Sequence, residues 1–492
     1  MTLSPDALVA RLVDLVGADR VVTDPDLLRE VSQDRWKKYQ SVHGIFDGPQ
    51  PVALVRARST ADVSAVLALA HDERVPVVPR TGGTGTEGGL EVVVEGTVVL
   101  DGSDLNEIVA IDAVDMTATA QGGVRLAALE DALRAQGLTT GHSPQSQPLA
   151  RMGGLVATRS IGQLSTLYGG IEDMLLGVEA VLAGGEVVRV RPVPRRAAGP
   201  DVRHVVLGNE GALAYVTEVT VQVFRLPEHR VFAGYLLDDL PGGVEVLREV
   251  VTAGYRPSVA RVYDAGDAAQ HFAHLPGWAD GPGDGAGGPG SAVLVAVAEG
   301  PHSIAEATAA AVVAAAEAVG ARPVDPALVE DWFTHLNWGP EKLEAEKQAM
   351  LTDRHLGYTT EVSAAWSQVA ALHEAVLRRV REEFPRAADL TMLGAHSSHS
   401  YQTGTNLYFV YDYDIDCEPR EEIELYHRPL NTIVVEEALR VGGSMVHHHG
   451  IGKYRTPWVE EEHGSSWRLL TGLKEAFDPH GVMNPGTIYP LP

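Results

Sequence analysis

Five glycines fall within eight residues, at Gly82, Gly83, Gly85, Gly88 and Gly89. They belong to the run Pro79-Arg80-Thr81-Gly82-Gly83-Thr84-Gly85-Thr86-Glu87-Gly88-Gly89-Leu90. Apolar stretches flank it, Val75 to Val78 before and Thr97 to Leu100 after, each readable as a buried strand. A dinucleotide fingerprint needs strand, glycine turn and helix N-terminus in that order, so this context excludes a Rossmann site. What remains is a loop whose N–H groups approach an anion closely because no Cβ intervenes, a nest for phosphate or pyrophosphate. A plain glycine-rich hairpin fits the same residues equally well.

With 492 residues the chain exceeds one core, and two or three domains are expected. Its net charge of -27 argues against nucleic acid, whose phosphates call for clustered Lys and Arg. The single cysteine, Cys417, excludes an internal disulfide and fits a reducing compartment. Asp6, Arg11, Asp14, Asp19 and Arg20 interrupt the first apolar residues, so no signal peptide is expected. No apolar run approaches the roughly 20 residues of a membrane helix. A cytoplasmic location is the expectation.

Residues 1–48 read as a helical arm, with helix-type spacing over 5–17 and 25–31. From 49 to 228 the texture is that of one α+β domain. Strand 52–55, a helix from Ser59-Thr60 to His71 and strand 75–78 make a βαβ unit. Strands follow at 97–100, 107–112 and 116–120, then a helix from Leu126 to Gln136. A long polar stretch, 141–174, precedes a hairpin about Gly184-Gly185 and a strand pair over 215–224. Strands and helices alternate from 229 to 445, with a Gly/Pro-rich excursion at 280–290. There, 303–319, 326–356, 363–384 and 420–440 read as helical and 405–411 as strand. Residues 446–492 hold a histidine cluster and a last helix, 463–476.

Several motifs occur in order: the glycine loop, Gly153-Gly154-Leu155-Val156-Ala157-Thr158, Tyr168-Gly169-Gly170-Ile171-Glu172-Asp173, Gly208-Asn209-Glu210-Gly211-Ala212-Leu213 and Asp478-Pro479-His480-Gly481-Val482-Met483-Asn484-Pro485-Gly486. Together they resemble the vanillyl-alcohol oxidase / p-cresol methylhydroxylase (PCMH-type) flavoproteins. That resemblance implies an α+β fold: a two-subdomain FAD-binding domain with an α+β cap, to which residues 446–492 return. It also implies FAD, with Arg80, Thr81, Gly82, Gly83, Thr84, Gly85 and Thr86 at the pyrophosphate. His142, Ser143, Pro144, Gly153, Gly154 and Thr158 would line the flavin's middle and ring. Asp173 and the segment holding Glu210, Gly211, Val216 and Thr217 would meet the adenosine end and ribityl side. The glycine loop lacks the histidine that links FAD covalently in some relatives, so non-covalent FAD is expected, with a linkage from the cap left open. A homodimer is common among such proteins.

Within that family, His447-His448-His449-Gly450-Ile451-Gly452-Lys453 resembles the hallmark of the alkyldihydroxyacetonephosphate synthases. Gly404-Thr405-Asn406-Leu407-Tyr408-Phe409 is similar to the strand bearing their functional tyrosine, at Tyr408 here. Arg261 matches an active-site arginine. Lys347 falls where a phosphate-binding arginine is expected, and lysine there loses the bidentate fork.

A flavin accepts hydride once the donor carbon is held against it, and the protein handles the proton. Histidine suits that task near neutral pH. His448 and His449 are the first candidate bases, with Tyr408 as relay; His396 and His399 rank below them. Arg261 and Lys347 offer charge to an anionic or polar small-molecule substrate. No metal site is expected, because neighbours in an extended segment alternate faces and His447, His448 and His449 cannot all converge. The function expected is an FAD-dependent oxidoreductase acting on an alcohol or hydroxylated small molecule. The alternative is a synthase-like, redox-neutral transferase working through a flavin adduct.

Overall fold

Ser59 accepts the N–H of Asp62, and the Asp62 carboxylate returns to the Ser59 N–H. This capping box starts the helix Thr60–Glu73, which links strands Ala53–Arg56 and Val77–Arg80. The computed structural model describes residues 3–283, 290–337 and 339–491; most of the predicted Gly/Pro-rich excursion lies outside them. Both strands pair in parallel with Val98–Asp101, which sits between them, and Val21–Val22 adds an antiparallel edge. The N-terminal arm therefore supplies a strand as well as helices. Because Val77–Arg80 and Val98–Asp101 are parallel, the glycine loop joining them is a crossover, not a hairpin.

A second sheet has five antiparallel strands in the order Ile108–Asp112, Thr117–Gln121, Ala214–Gln222, Leu175–Leu182, Val187–Val190. The hairpin at Gly184-Gly185 forms as read. The strand pair read over 215–224 is instead one strand, Ala214–Gln222, and a short Phe224–Arg225 that pairs with Leu138–Thr139.

The third sheet is antiparallel and seven-stranded: Arg322–Val324, His229–Leu237, Ala292–Gly300, Val259–Tyr263, Leu390–Ser397, Gly404–Asp414, His355–Ala365. Helices Leu240–Thr252, His302–Ala318, Trp366–Glu383 and Arg428–Arg440 cover one face. Leu294, Val262, Leu407, Phe409 and Val362 point into that core. Alternation then turns Arg261, His396, Tyr408 and Glu361 to the other face.

Two of these strands depart from the sequence reading. His355–Ala365 spans the gap between the helices read at 326–356 and 363–384 and takes the adjoining end of each, so the second helix starts only at Trp366. Its Thr360 and Glu361 are fully buried polar residues, so no apolar alternation marks the strand. Leu390–Ser397 is a further strand, one the sequence reading does not assign.

The closing segment returns to the first sheet: the Val77 N–H donates to the Val482 carbonyl, and the Asn484 N–H to that of Val77, both at 2.8 Å. No helix among the described residues is long and apolar enough to cross a membrane.

Candidate active site

A cavity of about 660 Å³ runs between the glycine loop and the open face of the seven-stranded sheet, within the range of ~300–1,000 Å³ typical of ligand sites. Arg80 through Thr86, Pro144, Gly153, Gly154, Thr158, Glu210, Gly211 and Val216 form one wall. Arg261, Tyr408, His448 and His449 stand on the other.

The first wall suits a nucleotide diphosphate. Gly83 has φ +68, and a Cβ there would lie 2.6 Å from the Arg80 guanidinium. Nε and Nη1 of Arg80 are buried without a partner among the described residues, a pair of donors that an anion would satisfy. A Cβ on Gly153 would lie 3.1 Å from the backbone of Gly122 and Val216, so the absence of a side chain lets helix Met152–Ala157 pack closely on that backbone. Docking fixes the loop. Lys453 Nζ donates to the Gly89 carbonyl at 3.0 Å, and Asn484 Nδ2 donates to Gly89 and Glu210 carbonyls at 3.0 and 2.7 Å. The Glu210 carboxylate accepts the N–H groups of Ile451 and Gly452 at 2.7 and 2.8 Å.

The second wall is set by strand register. Tyr263 pairs with His396, His396 with Tyr408, and Tyr408 with Glu361, so one row crosses four neighbouring strands. Arg261 lies on the same face as Tyr263. Its Nη1 donates to Gln163 Oε1 at 2.9 Å and its Nη2 meets His396 Nε2 at 2.8 Å. His396 Nδ1 in turn meets Asp267 Oδ2 at 2.5 Å. Burial holds His396 down to about 4 despite that carboxylate, so the ring is neutral, with its proton on Nδ1 and Nε2 accepting from Arg261.

Glu361 organises the histidine cluster. Its fully buried carboxylate accepts the backbone N–H groups of His447, His448 and His449 at 2.5, 3.3 and 2.6 Å. Burial alone would raise its pKa, but His449 and Arg455 outweigh that and hold it below the ordinary range. Fully buried Arg455 lies 3.7 Å from Glu361 and 3.2 Å from Glu87, and donates to the Met445 and Glu361 carbonyls. With the backbone so fixed, Tyr408 OH sits 2.6 Å from His448 Nε2 and 3.2 Å from His449 Nε2. Burial, and then Glu361, push the phenol well above 10. Burial and the neighbouring imidazoles push His448 well below 6.5.

Several sequence-predicted residues are elsewhere. Lys347 is exposed on helix Pro340–Gln348, which turns Lys342, Leu343 and Glu346 to the cavity instead. Asp173 is exposed and accepts the Gly170 N–H at 2.9 Å, capping helix Ile171–Met174. Thr217 is buried behind the wall, bonded to Glu179 at 2.8 Å. His142 and Ser143 lie off the wall; His142 meets Ser160 at 3.2 Å and burial lowers it to about 4. His447 also stands behind the wall, against Tyr401 at 2.7 Å. Sequence reasoning missed Glu361, Arg455, Glu87, Asp267 and Gln163. Among the described residues, His399 rather than His449 groups with His447 and His448, one ring nitrogen from each lying within 4.8 Å of the others.

Comparison with known proteins defines the class. Residues 51–191 match the family model of FAD binding domains, and residues 226–488 that of the C-terminal domain of FAD linked oxidases. The chain belongs to the FAD-linked oxidase family; it is an FAD-linked oxidoreductase with FAD as cofactor. It is 56% identical over 497 residues, and 100% of both chains, to the uncharacterized FAD-linked oxidoreductase YgcU of Escherichia coli (strain K12). The alkyldihydroxyacetonephosphate synthase of Dictyostelium discoideum is 26% identical over 470 residues, 89% of this chain and 73% of that one. The fold resembles that of p-cresol methylhydroxylase, with a TM-score of 0.77 at 18% identity over 99% of this chain and 97% of the other.

Proposed function

We propose that the protein oxidises a small hydroxylated molecule bearing an anionic group, with Tyr408 and His449 removing the hydroxyl proton as hydride leaves. The observation that carries this reading is the single phenol shared by two imidazole nitrogens on the cavity wall. Bound FAD supplies the hydride acceptor. Tyr408 keeps its proton at neutral pH and so acts as donor and relay rather than as an anion. Its O–H passes toward His449, whose Nδ1 lies 3.5 Å from both Glu87 and Glu361. Those carboxylates stabilise the imidazolium that forms, as an acidic partner does for any histidine base.

Arg261 supports the anionic substrate. It is a buried cation on the wall, and its Nε has no partner among the described residues. The row Asp267, His396, Arg261 fixes the guanidinium in place and leaves its unpartnered Nε–H for a carboxylate or phosphate oxygen. No histidine, cysteine or tyrosine lies in the loop 81–89, which supports FAD held without a covalent bond from that loop.

The test is anaerobic mixing of the FAD-loaded enzyme with small hydroxy acids and with neutral alcohols of similar size. Net bleaching of the flavin by the anionic compounds is expected, with Arg261→Met raising KM for them selectively. Consumption of a substrate while the flavin stays oxidised would instead favour the redox-neutral transferase implied by the synthase resemblance.

A further inference from the structure

Beyond Tyr408 the cavity continues as an arm along the seven-stranded sheet. Val410 and Asp412 follow Tyr408 on the same face of strand Gly404–Asp414, and all three line the cavity. At about 3.4 Å per residue, this floor extends roughly 14 Å from the phenol. Thr359 and Gly357, which pair with Val410 and Asp412 on the neighbouring strand, widen it. Glycine makes room there, since a Cβ on Gly357 would clash with Asp412 Oδ1. Helix Ala265–Phe272 packs directly on the sheet, because Gly394 beneath it has no Cβ to strike the Asp267 backbone, and so brings Gln270 to the arm. Helix Pro340–Gln348 adds Lys342 and Leu343. Most charges here are already met. Lys38 and Arg35 bind Glu346 at 2.6 and 2.7 Å, while Gln270 Nε2 donates to Asp412 Oδ2, with His355 3.7 Å from the same oxygen. Three polar groups keep free capacity among the described residues: Asp412 Oδ1 as acceptor, Lys342 Nζ as donor and the Thr359 hydroxyl as either.

We propose that this arm seats the hydroxylated tail of a polyhydroxy acid, so that the substrate is a sugar-acid chain rather than a short hydroxy acid or a lipid alcohol. The head of that chain rests on the proposed function, with its anionic group at Arg261 and its reacting hydroxyl at Tyr408. The tail is argued from the arm alone. A hydroxyl both donates and accepts, and the free groups on the arm offer one acceptor, one donor and one of both kinds. A second anionic group fits worse, because it would face Asp412 and Glu346 with Lys342 alone to offset them. A hydrocarbon chain would cover the same polar groups and give them no partner, at the desolvation cost of each. Val410 and Leu343 meet the C–H edges that a hydroxylated chain also presents.

The experiment gives the FAD-loaded enzyme glycerate, three six-carbon aldonates (gluconate, galactonate and mannonate) and 2-hydroxyhexanoate. Turnover is read by anaerobic flavin bleaching and binding by calorimetry. The best aldonate should exceed 2-hydroxyhexanoate about 10–100-fold in kcat/KM and in affinity, the effect of two or three hydrogen bonds. Thr359→Val and Asp412→Asn should each lower the ratio of kcat/KM for that aldonate over glycerate about 3–10-fold, chiefly through KM. A ratio cancels general damage to the fold or the flavin site, and either variant serves where the other does not fold. Equal or better use of 2-hydroxyhexanoate, or an unchanged ratio in both variants, overturns the proposal. No bleaching by any of these acids would contradict the proposed function instead. Calorimetry then decides the arm by itself: a preference for the aldonate that Thr359→Val removes supports it, and no preference overturns it.

Discussion

Glu361 makes the candidate site possible. A single buried carboxylate orders three consecutive histidines through their backbone N–H groups and is balanced by Arg455. Removing it leaves Arg455 with Glu87 as its remaining carboxylate and strips the acceptor from three backbone N–H groups, and losing one member of a buried charged network costs about 3–5 kcal/mol. Glu361→Ala should therefore lower the unfolding free energy by that order in urea titration, and a loss below about 1 kcal/mol would deny it this role. Tyr408 and the three histidines were legible because they sit in motifs that resemble known flavoproteins. Glu361 was not, since its meaning lies in its pairing with Tyr408 across two strands, and its own strand shows no apolar alternation. Lys347 failed for the opposite reason: the family motif was extended along a segment where helical phase decides which lysine meets the cavity.

At the scale of elements, the glycine crossover depends on a second tight turn that presses against it. Gly452 has φ +55, and a Cβ on it would lie 1.9 Å from the Glu87 carbonyl. Backbone on both sides cannot yield cheaply, so Gly452→Ala should displace the loop. The expected result is a purified protein with a reduced flavin-to-protein ratio and a lower midpoint of thermal unfolding; normal flavin content would contradict the docking described. Acid precipitation of the wild-type protein should leave all colour in the supernatant, whereas coloured pellets would reveal a covalent bond. The crossover itself was readable from glycine spacing between two apolar runs. That the two strands are parallel was not, because direction is set by the partner strands, Ala53–Arg56 and the segment at Met483, that lie far away in sequence.

Across the whole molecule, buried acids mark the places where distant segments meet. Asp34 joins the N-terminal segment to the glycine loop, where the Arg35 N–H donates to the Gly85 carbonyl at 2.9 Å. Lys38 and Arg35 then bind Glu346 of the third sheet's outer helix at 2.6 and 2.7 Å. Burial pushes Asp34, Glu210 and Glu422 up to about 7. Their folded pKa exceeds the unfolded one, so between those values the folded chain keeps protons that the unfolded chain has released. The contribution of these three acids to stability therefore falls as pH rises from about 4.5 to 7 and levels off above. His142, His396 and His448, kept neutral by burial, contribute the opposite slope below 6.5. Between pH 5 and pH 8, Glu422→Gln should change the pH dependence of the unfolding free energy by about 3 kcal/mol relative to wild type. A variant with the wild-type slope would contradict the assignment.

The most direct test of the mechanism is the rate of flavin bleaching in a single anaerobic turnover, with wild type and Tyr408→Phe both loaded with FAD and saturated with substrate. A fall of about 10²–10⁴-fold is predicted, the range of a lost acid–base group, with flavin content and substrate affinity retained. An unchanged rate would contradict the role given to Tyr408.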